Sequence, residues 1–105
     1  MTLQEIKQNP IAATAGIAAA MVDAPAKAYI LHCLDLFFDG EYGETPAEDI
    51  DANNRALHAG TGRIIARYQA AEGLRQDIFI IAYFSDQEPS NPDYNNTCVM
   101  YTGEY

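Results

Sequence analysis

Nine residues, Asp77 to Ser85 (DIFIIAYFS), constrain the fold more than any other stretch of this chain. Ile78, Phe79, Ile80, Ile81, Tyr83 and Phe84 are β-branched or aromatic, the types that pack best on a pleated surface. The run has strand length, and polar residues bound it on both sides. Successive strand side chains point to opposite faces. Ile78, Ile80, Ala82 and Phe84 therefore share one face, and Phe79, Ile81 and Tyr83 the other. Both faces are apolar, so the strand is expected to be central. What covers its second face is the main question that the sequence poses.

A chain of 105 residues is expected to form one domain, residues 1–105. Hydrophobic residues make up 49%, enough for a real core. The formal charge of −9 argues against DNA, RNA or an anionic membrane as direct partners, because those demand a basic surface. Cys33 and Cys98 stand far apart with no CxxC, which fits two free thiols in a reducing cytoplasm. Ile11–Val22 has the length of a signal-peptide apolar region, but Glu5 offsets Lys7 before it and Pro10 reads as a helix start. No stretch is long enough to span a membrane. Asn95-Asn96-Thr97 matches a glycosylation pattern that has no meaning without secretion.

The first sixty residues read as helices. Thr2-Leu3-Gln4-Glu5 fits a capping box opening a short helix, about 2–8. Asn9-Pro10 looks like an N-cap followed by Pro at the first helical position, predicting a second helix over about 10–22. Ala12, Ala13, Gly16, Ala19 and Ala20 would let another element approach this helix closely. A third helix, about 25–39, aligns Ile30, Leu31, Leu34, Phe37 and Phe38 on one side, with Lys27, Asp35 and Asp39 opposite and Gly40 as the stop. Thr45-Pro46-Ala47-Glu48 reads as another capping box, starting a surface helix over about 46–59 that turns Ile50, Leu57 and Ala56 inward and ends at Gly60.

Strands follow. Residues 62–70 admit either type: Ala, Arg and Gln favour helix, whereas Ile64, Ala66 and Tyr68 alternate with Arg63 and Arg67. The alternation favours a strand. A turn near Glu72-Gly73 then leads into strand 77–85, a polar loop of two prolines, and a last strand over about 97–102. The expectation is an α+β fold: three to four N-terminal helices packed on a C-terminal three-stranded antiparallel meander.

The Gly62-Arg63-Ile64-Ile65 strand ending in Tyr68, the strand Ile78-Phe79-Ile80-Ile81, a Thr-containing apolar strand and a terminal Glu104-Tyr105 follow one another over residues 60–105. This order resembles small plasmid-related proteins of mobile genetic elements. The loop Ser85–Asn96 departs from that pattern by its length. The resemblance implies a mobile-element setting and brings no catalytic residues with it.

Candidate chemistry is sparse. His32 and Cys33 are neighbours on a helix, so their side chains diverge by about 100° and cannot form a nucleophile–base pair. His32, Cys33, His58 and Cys98 lack zinc-ligand spacing. His58 fits better as a residue near a helix C-terminus. Asp39-Gly40-Glu41 has its glycine out of place for a calcium loop, and Gly60-Thr61-Gly62 follows a helix, not the strand a phosphate loop needs. No enzyme activity, cofactor or metal is expected.

Asp35, Asp39, Glu41, Glu44, Glu48, Asp49 and Asp51 bring seven acids and no base into 17 residues, while Arg55, Arg63, Arg67 and Arg75 hold four of the six positive charges. A solvated surface explains such a run simplest, with Glu48 and Asp49 favouring a helix N-terminus. It would also suit a basic groove on another protein. Ile65, Phe79, Ile81 and Tyr83, beside either Cys98 and Met100 or Val99 and Tyr101, would form the second sheet face. If uncovered, that face marks a partner site or a homodimer through the sheet. The expected function is a cytoplasmic, non-enzymatic protein–protein interaction module of a mobile element, with an acidic face for a basic, nucleic-acid-handling partner protein. The alternatives are a small enzyme or ligand-binding domain, with Tyr68, Tyr83, Tyr101 and Cys98 around a pocket between helices and sheet, and an antitoxin-like structural partner.

Overall fold

The strand expected from DIFIIAYFS is β3, Ile78–Ser85, and it lies inside a sheet. The structure, a computed structural model, describes residues 1–71 and 73–105. Its elements run α1 (Leu3–Ile6), β1 (Ile11–Ala13), α2 (Ala15–Ala20), α3 (Ala24–Phe38), α4 (Ala47–Ala59), β2 (Thr61–Tyr68), β3, β4 (Asn96–Tyr101) and a closing 3₁₀ turn, Thr102–Glu104. The fold is α+β as expected, but the sheet has four strands in the order β1-β4-β3-β2. β4–β3–β2 is the antiparallel meander, and β1 adds to β4 in parallel. Of the turn expected at Glu72-Gly73, Glu72 lies outside the described residues.

The added strand corrects the helix expected over 10–22. The amide of Thr97 donates to the Pro10 carbonyl at 2.8 Å, and the amide of Thr14 donates to the Val99 carbonyl at 3.1 Å. Backbone pairing with β4 takes residues 11–13 out of the helix that their alanines would otherwise favour, because propensity differences are tenths of a kcal/mol per residue. Helix begins only after Thr14, whose hydroxyl accepts from the amide of Ile17 and caps α2. Gly16 does permit close approach: a Cβ there would stand 3.0 Å from the Glu104 carboxylate.

The other helices form largely for the local reasons read from sequence. The Thr2/Glu5 capping box is present in α1. Asp23 caps α3 through the amide of Ala26, and the Ile30, Leu34, Phe37, Phe38 stripe is buried, while Leu31 is exposed. Gly60 ends α4 in the left-handed conformation, φ 79°. The Thr45 capping box does not form. Its hydroxyl donates instead to the Tyr42 carbonyl and accepts from the amide of Arg67, so α4 starts at Pro46 without a side-chain cap.

The helices lie on one face of the sheet. There Ile64, Ala66, Tyr68, Ile78, Ile80, Ala82, Phe84, Val99 and Tyr101 meet Ile6, Ile17, Ile30, Cys33, Leu34, Phe37 and Phe38 in one core. Residues 43–45 and α4 close the outer edge of β2. Asn53, 1% exposed, donates through Nδ2 to the Ile65 carbonyl at 2.9 Å and accepts from the Ile65 amide at 3.0 Å. The amide of Glu44 donates to the Arg67 carbonyl at 2.8 Å. This approach needs glycine at 43, where φ is +60° and a Cβ would lie 2.6 Å from the Arg67 carbonyl oxygen.

Candidate interaction surfaces

All seven acids of the run 35–51 are exposed. Asp35 sits near the end of α3, Asp39 caps it, Glu41 and Glu44 lie in the connection, and Glu48, Asp49 and Asp51 open α4. Among the described residues the ion pair is Arg67–Asp77 at 2.9 Å, and none of the seven has a cationic partner. Glu48 and Asp49 stand in the first turn of α4, where exposed amides favour negative charge. Because Gly43 bridges to Arg67, the middle of the run lies along the β2 edge of the sheet.

The second sheet face carries Ile65, Phe79, Ile81 and Tyr83, and the register sets Cys98 and Met100, not Val99 and Tyr101, beside them. Among the described residues, the helices of the core pack on the opposite face. It is nevertheless less open than its composition suggests. Ile81 is fully buried between Ile65 and Cys98, Phe79 and Ile65 are half-buried, and Tyr83 is 40% exposed. Tyr105 turns back onto the face. Its ring meets Phe79 edge-on at 5.4 Å, and Arg63 lies 5.7 Å from the ring centre while donating to its hydroxyl.

Tyr68, Tyr83, Tyr101 and Cys98 do not converge on a pocket. Tyr68 and Tyr101 are buried on the helix side, and Tyr83 and Cys98 lie on the other. The Tyr68 hydroxyl donates to the Glu41 carbonyl at 2.8 Å, and burial drives its pKa far up, so it stays a neutral donor. A shallow pocket of about 290 Å³ lies elsewhere, between Glu44, Pro46, Arg67, Gln69 and Asp77. The Asp77 carboxyl accepts from the amide of Ala70 and from Arg67, which hold it below the usual carboxylate range.

The cysteines are free, and burial raises both thiols above their ordinary value. Thiolate, the reactive form, is thereby disfavoured. His32 and His58 are exposed on separate helices. Among the described residues no group of three His, Cys, Asp or Glu side chains could hold a metal ion. No helix of the described residues is long and apolar enough to cross a membrane.

Asn53, which the sequence did not mark, and Glu104, which it marked only within a terminal Glu-Tyr pair, organise the surfaces. Asn53 reads as one more polar position of a polar helix, yet it closes the β2 edge. Glu104 accepts from the Thr14 hydroxyl at 2.9 Å and from the amide of Tyr101 at 2.9 Å, tying the C-terminal turn to the β1–α2 junction. No family model, curated protein or solved structure matches this chain.

Proposed function

We propose that this chain is a non-enzymatic protein–protein interaction module of a mobile genetic element, working in the cytoplasm, whose acidic face binds a basic, nucleic-acid-handling protein. The observation that carries this reading is the exposed run Asp35, Asp39, Glu41, Glu44, Glu48, Asp49 and Asp51, unpaired with any cation among the described residues. Side chains that satisfy no intramolecular partner keep their full field for an external one, which raises encounter rates and discriminates among partners. The same field repels phosphate backbones, so a nucleic-acid-handling protein would be engaged on its own basic groove. The half-covered sheet face around Tyr83 is the second contact surface of this reading.

The test is affinity capture from the host with the unmodified chain and with a variant carrying Glu44→Lys, Glu48→Lys and Asp51→Lys. A basic partner should be captured by the first, released by moderate salt and lost by the second. An unchanged set of captured proteins refutes the acidic-face reading.

A further inference from the structure

The two edges of the sheet are finished differently. On β2 the side chain of Asn53, the hydroxyl of Thr45 and the amide of Glu44 occupy the outward backbone groups of Ile65 and Arg67. On β1 the Pro10 carbonyl and the Thr14 amide bond to β4. Because backbone groups alternate sides along a parallel strand, Ala12 also faces β4, and Ile11 and Ala13 point their N–H and C=O groups outward. All three β1 residues are exposed, with Ile11 at 50%. Of the common protections of a free edge, β1 has its shortness, three residues, and the proline before it, but no lysine, charge or bulge within Ile11–Ala13.

We propose that two copies of this chain pair through β1, antiparallel about a twofold axis at Ala12. In that arrangement Ile11 of each copy exchanges two backbone hydrogen bonds with Ala13 of the other, and the four strands of each copy join into one continuous sheet. The charge map favours a second copy as the occupant. Between Glu5 and Asp23 the sequence contains no acid, and β1 lies in the middle of that gap. Glu104, which reaches this region, has its carboxylate held by Thr14 and Tyr101. The middle of the acidic run lies at the opposite edge, along β2. Pairing through β1 would set the two β2 edges seven strand spacings apart, roughly 34 Å. That is several times the screening length of about 8 Å at physiological salt, so the acids along the two β2 edges would repel one another little. A foreign peptide would find only Ile and Ala side chains on β1 to read, too little for specificity in strand addition.

This inference stands apart from the acidic-face reading: sedimentation tests one, affinity capture the other. Sedimentation of the full chain over low to high micromolar concentration should show a reversible dimer. Ile11→Lys and Ala13→Lys, both at exposed positions, should each raise its dissociation constant roughly tenfold or more, while Tyr83→Lys leaves it unchanged. As a second readout, Ala12→Cys is placed in a chain carrying Cys98→Ser, because Cys98 is the neighbour of Ala12 in the register. Facing residues of a non-hydrogen-bonded pair lie about 4.5 Å apart at Cα, within disulfide range. Oxidation should therefore link the two copies, and Tyr83→Cys in the same background should not. A monomer at every concentration, or a dimer broken by Tyr83→Lys and untouched by the β1 lysines, overturns the proposal. If a lysine variant fails to fold by circular dichroism, the cysteine pair decides.

Discussion

Asn53→Ala tests how the β2 edge is held. The side chain is 1% exposed and makes two hydrogen bonds, at 2.9 and 3.0 Å, to the carbonyl and amide of Ile65. Truncation leaves both backbone groups without partners in a dry place. Each orphaned group costs about 1–3 kcal/mol, at the lower end if water enters the space left. With water entering, at about 1–2 kcal/mol each, the two cost about 2–4 kcal/mol. Alanine returns about 0.6 kcal/mol through its better helix propensity. A net loss of about 1.5–3.5 kcal/mol is large against a total of about 5–15 kcal/mol for an ordinary domain. Urea denaturation followed by circular dichroism should show a lower midpoint at constant slope, and melting should fall by roughly 10–20 °C. Asn53→Asp sharpens the test. Its carboxylate still accepts from the Ile65 amide but meets the Ile65 carbonyl with a second acceptor. Buried without a cation, the new acid has a raised folded-state pKa, so this variant should gain stability relative to wild type as pH falls and the protonated acid can donate. A loss below about 0.5 kcal/mol for Asn53→Ala, the range of ordinary surface changes, refutes the claim that this amide holds the edge.

Two further outcomes follow from single groups. Thr97 is fully buried and its hydroxyl has no partner among the described residues, so Thr97→Val should raise stability by about 1 kcal/mol in urea denaturation, while Thr97→Ser, which keeps the orphan and opens a void, should lower it. Asp77 and Glu104 are held below their ordinary pKa values, Asp77 chiefly by the amide of Ala70 and Glu104 chiefly by the amide of Tyr101. Their contribution is complete above the usual carboxylate value near pH ~4 and is lost as pH falls through the lower folded values. An acid titration of Asp77→Asn should therefore show a shallower loss of stability below that pH than wild type; an identical slope refutes the assignment.

The seven acids were legible as a surface because charged side chains without partners stay in water wherever the chain goes. The apolar sheet face was legible only in part. Alternation assigns Phe79, Ile81 and Tyr83 to one side, but the burial of Ile81 depends on Ile65 and Cys98 arriving beside it and on Tyr105 folding back over Phe79. No local signal in the sequence announces those approaches.

Elements whose stabilising groups lie within a few residues follow from sequence alone: the Thr2/Glu5 box, the α3 stripe, the Gly60 stop and the alternating β3. Elements that complete their hydrogen bonds with distant backbone were decided by tertiary structure. Residues 11–13 are a strand because β4 offers its free edge to Pro10 and Thr14, and Thr45 gives up its helix cap because the Tyr42 carbonyl and the Arg67 amide compete for its hydroxyl. Helix and cap preferences of a kcal/mol or less give way when a neighbouring strand would otherwise keep unpaired backbone groups.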